Sequence, residues 1–285
     1  MKQEADTKRP HFPEGKQIDH FTVFKFIGSG GYGDIYGVFD QTNDDELCAL
    51  KVEYFSSPKK GLDEELDIMK KMQGSPCFPK LISFGKQEDF KYLVMELFGP
   101  SLSAMRRILP RRKYTLYTTH RLAIDMLHAI KEFHKRGFIH RDIKPGNFLI
   151  RPHTNYPIAL IDFGLSQSFI NEKTHQHVSP SRDAGFTGTC RYASPNAHSE
   201  KQLSRRDDLY SWFYSILELV DGKVPWPGSR DRDLTIQMKA SMKPQELCQS
   251  LTPEFIEIYN YITTIKFKDK PNYKWIKEKI EVSLV

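Results

Sequence analysis

The sequence predicts an α+β fold of two lobes, a small β-rich lobe with one main helix followed by a larger, mainly α-helical lobe. Three observations carry this. Short β-rich runs broken by Gly, Asn and Asp fill the chain from Phe21 to about Leu97. One segment inside that region has helical periodicity instead, and after Gly99-Pro100 the whole texture turns helical. The chain has 285 residues, 39% hydrophobic and 12% aromatic, enough to build a core of that size.

In order along the chain, residues 1–20 are polar and carry Pro10 and Pro13, which reads as a flexible lead-in. FTVFKFIG, DIYGVFD, LCALKVEYF, FPKLISFG and KYLVMEL are the expected strands of a first lobe over 21–97. Between the third and fourth, Leu62, Leu66, Met69 and Met72 fall on one helical face, and Gly74 ends the helix. The second lobe, 98–285, opens with a long helix from Tyr117 to Lys135. Leu209–Val220 (LYSWFYSILELV) is apolar on nearly all sides and is expected at the centre of the core. Residues 253–262 and 273–284 read as helices packed on the surface.

Charge narrows the function classes. The chain has 42 Lys and Arg against 36 Asp and Glu, a net charge of +6. That excess suits an acidic or phosphorylated partner and is modest for a dedicated nucleic-acid site, although an evenly charged, solvated surface reads equally well. Cys48, Cys77, Cys190 and Cys248 lie far apart, without C-x-x-C or a nearby His pattern, so they read as reduced thiols. The N-terminus has no apolar signal-like stretch, and no run reaches the ~18 apolar residues of a membrane helix. A soluble, monomeric protein of the cytoplasm or nucleus is expected, with no membrane insertion.

The chemistry is concentrated between Phe138 and Gly164, FIHRDIKPGNFLIRPHTNYPIALIDFG. Asp142 is a carboxylate able to orient a hydroxyl and accept its proton. Lys144 is a cation for the γ-phosphate, and Asn147 and Asp162 are oxygen ligands for Mg²⁺. HRD-x-K-x-x-N followed by DFG is similar to the protein-kinase pattern, and Lys144 two residues after Asp142 is its Ser/Thr form. The resemblance implies the bilobal protein-kinase fold, with ATP and Mg²⁺ as cofactors and protein hydroxyls as substrate.

Gly28-Ser29-Gly30-Gly31-Tyr32-Gly33 stands between two strand-like runs, where backbone amides can approach phosphate oxygens. A dinucleotide-binding turn would open a helix instead. Lys51, in Ala49-Leu50-Lys51, would on its own be an ordinary solvated strand residue. On the helix beginning at Leu62, Glu64 and Glu65 are both candidates to pair with it and hold it on the α- and β-phosphates.

Further along, Gly188-Thr189-Cys190-Arg191-Tyr192-Ala193-Ser194-Pro195-Asn196 replaces the usual Ala-Pro-Glu with Ser-Pro-Asn. With Asn196-Ala197-His198, Ser204-Arg205-Arg206-Asp207-Asp208-Leu209, Met95-Glu96-Leu97-Phe98-Gly99-Pro100, Met72-Gln73-Gly74 and Lys270-Pro271-Asn272-Tyr273, this resembles the casein kinase 1 superfamily over residues 20–285. Ser211-Trp212-Phe213-Tyr214 and the segment from Trp226 to Lys239 look closer to the tau-tubulin kinase branch. The resemblance selects Glu65 over Glu64. It places adenine in an apolar slot of Ile27, Ile35, Ala49, Leu149 and Ile161, with Met95 behind and Glu96-Leu97 as hinge. It makes Asp208 a brace beneath the catalytic loop. It also implies a preference for acidic or phosphate-primed sites, with Arg191 and Lys239 at the substrate phosphate. Pro195 departs from the aliphatic residue usual there. Two rival readings are a catalytically dead kinase fold acting as a scaffold, and a basic surface for RNA or microtubules.

Overall fold

A computed structural model describes residues 11–30, 33–152, 154–171, 173–181 and 184–284. The chain divides into two compact units, one of residues up to Gln73 together with Pro79–Phe98, the other of Gly74–Phe78 together with Gly99–Val285.

The first unit is a six-stranded antiparallel sheet in the order β1-β2-β3-β4-β6-β5. Its strands are β1 (Gln17–Ile18), β2 (Phe21–Gly30), β3 (Gly33–Asp40), β4 (Glu46–Tyr54), β5 (Leu81–Lys86) and β6 (Phe90–Glu96). Helix α1 (Leu62–Met72) lies between β4 and β5 in the chain and buries Leu62, Glu65, Ile68, Met69 and Met72. One sheet face closes over Phe21, Val23, Tyr36, Val38, Leu50, Val52 and Val94. Each such side chain, fully buried, contributes about 1.5–3 kcal/mol.

The lead-in is not loose from His11 onward. Phe12 stacks on Tyr36 with ring centroids 5.0 Å apart and packs against Phe90, and Gly15 N–H donates to Val23 O at 2.8 Å. The two prolines that suggested irregular chain are outweighed by an aromatic side chain that packs, half-buried, against the sheet. Residues 1–10 lie outside the described residues.

The second unit is helical: α2 (Leu102–Ile108), α3 (Leu116–Lys135), α4 (Pro195–His198), α5 (Arg205–Asp221), α6 (Arg232–Ser241), α7 (Pro244–Leu247), α8 (Glu254–Thr264) and α9 (Tyr273–Val282). Two small antiparallel pairs complete it, β7 (Phe138–Ile139) with β10 (Gln167–Ser168) and β8 (Phe148–Ile150) with β9 (Ile158–Leu160). Helix α5 is its axis. It opens with a capping box at Ser204 and Asp207, ends at Gly222 in the left-handed conformation, and is buried without a break from Asp207 to Val220. Trp212 Nε1 donates to Ala123 O on α3 at 3.0 Å, so the largest buried side chain has its polar edge satisfied. All four cysteines are buried and free. No helix among the described residues is long and apolar enough to cross a membrane.

Candidate active site

In the first unit, strand β4 anchors α1 at two points. Lys51 and Glu53 are two residues apart and therefore share a sheet face. Glu53 Oε2 accepts from the backbone N–H groups of Gly61 and Leu62 at 2.7 and 2.9 Å, capping a helix whose first residue is preceded by a glycine. Lys51 Nζ meets Glu65 Oε2 at 2.5 Å, with 8% and 2% of the two side chains exposed. Glu64 is exposed. Lys51 itself sits mid-sheet, opposite Ile35 on β3 and Leu93 on β6.

The Gly-rich segment is the hairpin end of β2 and β3, with Gly28 opposite Ile35, Ser29 opposite Asp34 and Gly30 opposite Gly33. Gly33 has φ +146°, and a Cβ there would stand 1.8 Å from Val52 O, so no other residue fits. Gly31 and Tyr32 lie outside the described residues. Ile27 is exposed, Ala49 and Met95 are buried on adjacent paired strands, and Glu96 ends β6 just before Leu97.

In the second unit, the loop from His140 to Asn147 hangs from Asp208 at the start of α5. Asp208 accepts from His140 N at 2.7 Å, Arg141 N at 2.9 Å and His134 Nε2 at 2.8 Å. These bonds hold its carboxyl below the usual range despite complete burial, while burial pushes the His134 pKa down. A neutral His134 that donates from Nε2 accepts at Nδ1, where Tyr273 Oη lies 2.6 Å away. The loop's direction reverses at Arg141, whose φ is 66°. Gly188, at φ +97°, passes so close that a Cβ there would come within 2.4 Å of Arg141 O.

Asp142 is the meeting point. Lys144 Nζ reaches its Oδ2 at 2.5 Å, and Thr189 Oγ1 donates to its Oδ1 at 2.7 Å. Lys144 also contacts Thr189 Oγ1 at 3.3 Å. Asn147 Nδ2 donates to Asp142 O at 2.9 Å, which directs the amide oxygen the other way. Asp162 follows the strand-like run through Ile161, and its neighbour Phe163 is 1% exposed. The Phe163 ring lies 5.2 Å from Phe133 and 6.0 Å from Phe78. Burying that ring fixes the backbone at Asp162, whose φ is 68°, an uncommon conformation for a residue other than glycine. Leu149 lies in β8, and Ile161 N donates to Asn147 O at 3.0 Å.

Thr189 was quoted in the sequence only as part of a motif; its bond to Asp142 makes it a member of the site. Glu218, on α5, was not singled out at all. It is 2% exposed and takes Arg106 at 3.3 Å and Arg191 at 3.0 Å on Oε1, and the Tyr192 hydroxyl on Oε2. A lone acid in the otherwise apolar run LYSWFYSILELV was the available signal.

Arg191 and Lys239 do not behave as a matched pair. The Arg191 side chain is 39% exposed and rests on Glu218. Lys239, expected at a substrate phosphate, is 6% exposed and lies beneath the segment that carries Arg191. Its Nζ donates to Cys190 O at 3.0 Å and Ala193 O at 2.8 Å, and lies 3.2 Å from His198 Nε2. The rings of Tyr214 and Trp226 lie 4.8 and 4.9 Å from it. Burial pulls its pKa down to about 7. Sequence position gives the charge of a lysine but not which way its long stem turns. Here the stem turns inward.

Ser194-Pro195-Asn196 is braced from the opposite direction to Ala-Pro-Glu. The acid comes from α5: Asp207 Oδ1 accepts from Ser194 Oγ at 2.7 Å and Asn196 Nδ2 at 2.9 Å. Ser194 caps α4, and Pro195 is the first helical residue, exposed, where a missing N–H costs nothing. An aliphatic side chain at that position would have no burial to gain.

Comparison with known proteins decides what this constellation belongs to. The family description "Protein kinase domain" matches residues 21–278. The chain belongs to the protein kinase domain family. A Dictyostelium discoideum protein described as a probable serine/threonine-protein kinase is 36% identical over 260 residues, which is 90% of this chain and 52% of that protein. This kinase domain therefore spans about half the length of the curated relative it matches. The β-rich unit and the helical unit are the N-lobe and C-lobe of the family's bilobal fold.

Proposed function

We propose that the chain is a Ser/Thr protein kinase, one domain with its N-lobe over 21–97 and its C-lobe over 98–285, that transfers the ATP γ-phosphoryl group to protein Ser or Thr hydroxyls. The observation that carries this reading is Asp142, held between Lys144 at 2.5 Å and Thr189 at 2.7 Å. A carboxylate so placed aims at a substrate hydroxyl and accepts its proton, while the neighbouring Lys144 ammonium counters charge on the transferring phosphoryl. Lys51, fixed by Glu65, holds the α- and β-phosphates, and the β2–β3 glycines admit backbone amides to them. The adenine contacts expected of the first unit are Ile27, Ile35, Ala49 and Met95, with Glu96 and Leu97 offering backbone groups, and those expected of the second unit are Leu149 and Ile161.

Asn147 and Asp162 are the residues that would hold Mg²⁺. An amide oxygen and a carboxylate are the hard donors that Mg²⁺ takes, and the bond from Asn147 Nδ2 to Asp142 O leaves the amide oxygen for it. When bound, Mg²⁺ neutralises phosphate charge.

Within the kinases, the chain is assigned to the casein kinase 1 superfamily, near the tau-tubulin kinase branch. The bracing of Ser194 and Asn196 by Asp207, in place of the usual Glu, supports this. A preference for acidic or phosphate-primed sites rests on Arg191 alone, with Lys239 holding the segment from below. A monomer acting in the cytoplasm or nucleus completes the reading.

The test is a transfer assay with ATP and Mg²⁺ on matched peptides carrying Ser, Thr or Tyr as acceptor, with and without an upstream phosphoserine. Transfer to Ser and Thr but not Tyr is expected. A primed-over-unprimed preference should vanish in Arg191→Ala. Transfer to Tyr alone contradicts the Ser/Thr assignment, and equal rates on primed and unprimed peptides contradict the Arg191 role.

A further inference from the structure

A cavity of about 360 Å³ opens in the helical lobe, and its lining includes Lys131, Lys135, Arg205, Lys270, Phe169 and Tyr273. Four of these are cations and two are aromatic. Lys135 is paired with Glu132 at 2.6 Å, and Glu132 also takes Arg136. The Arg205 guanidinium lies over the Phe169 ring, 4.5 Å from its centroid, and donates one N–H to Lys268 O at 2.7 Å. Burial pushes the Arg205 pKa down, with Tyr273 and Asp269 opposing. Lys131 and Lys270 have no acid partner among the described residues, although Lys131 is half-buried on α3. A half-buried lysine with no counter-charge lowers its energy by meeting an anion.

We propose that this cavity binds an aryl phosphate, with the phosphate on Lys131 and Lys270 and the aromatic body against half-buried Ile170 and the edge of Tyr273. The cation count favours a dianion over a single carboxylate, and point-charge ammonium groups suit phosphate oxygens. The volume falls in the range of small-molecule pockets, and apolar walls within a concavity distinguish it from a basic stripe for nucleic acid. The site has a path to the catalytic loop: Tyr273 donates to His134, which donates to Asp208, which holds His140 N and Arg141 N.

The ligand has two sources, a free aromatic phosphate or a phosphotyrosine side chain. Calorimetric titration of the full chain, with ATP and Mg²⁺ present throughout to keep the nucleotide site filled, uses phenyl phosphate, a blocked phosphotyrosine peptide and inorganic phosphate as probes. Binding of phenyl phosphate tighter than inorganic phosphate is expected, and binding of the peptide as well identifies a protein source. Lys131→Ala/Lys270→Ala, two changes on the lobe's surface, should weaken phenyl phosphate by about tenfold or more, one charged hydrogen bond's worth. No binding at millimolar phenyl phosphate, or an unchanged Kd in the double variant, overturns the proposal.

Discussion

Lys239 Nζ donates to the Ala193 carbonyl oxygen at 2.8 Å from a position only 6% exposed. With its bond to Cys190 O, and that from Trp226 Nε1 to Arg191 O at 2.7 Å, three of the four successive carbonyls from Cys190 to Ala193 are held by side chains. The backbone there is positioned by α6 and by the turn that precedes it.

Lys239 should make stability depend on pH in a defined window. Its pKa is lowered to about 7, whereas a free lysine titrates near ~10.4. Between those values the unfolded chain carries a proton that the folded chain has released, so stability rises with pH across the window and is flat below it. Urea unfolding of wild type and Lys239→Met near neutral pH and two units higher should show wild type gaining about 2 kcal/mol on the variant. Parallel profiles would show that burial does not shift this lysine.

Glu218 should be among the costliest residues to remove. Glu218→Ala removes the buried carboxylate shared by Arg106, Arg191 and the Tyr192 hydroxyl, and Arg106 keeps only its bonds to Arg112 O and Gly222 O. Breaking a buried ion pair costs about 3–5 kcal/mol. Chemical denaturation checks it, and a loss below about 1 kcal/mol would mean that the network is held mainly by packing.

The two adjacent acids of α1 should separate cleanly. Glu65→Gln should lower phosphoryl transfer on the order of 10²-fold, by weakening the hold on Lys51, and Glu64→Gln should leave it unchanged. Steady-state kinetics on variants with native circular dichroism decide this. Equal losses in both would break the Lys51–Glu65 assignment.

Much of this was legible in the chain. The strand runs, the α1 face and the α3 and α5 spans follow from periodicity, because each buries one face or all faces of a regular element. Asp142, Lys144, Asn147 and Asp162 stand out because their residue types fall at the close spacing of one pattern, whereas Lys51, far from them in the chain, reads on its own as an ordinary strand residue. What the sequence hid depends on direction and burial. Phe12 looked like part of a polar lead-in until it proved to pack against the sheet. Lys239 looked like a surface cation because nothing local records that two carbonyls and two aromatic rings surround it. Glu218 pairs with Arg106, 112 residues away, a distance no local pattern encodes. Pro195 looked anomalous until Ser194 proved to be a helix cap.

Phosphoryl transfer by Asp142→Asn tests the central claim most directly. The change keeps the side chain's size and removes the charge that meets Lys144 and Thr189. The variant should keep a near wild-type melting temperature while its turnover on a Ser peptide with ATP and Mg²⁺ falls by about 10²–10³ or more. Near wild-type turnover in a folded Asp142→Asn protein would contradict the account.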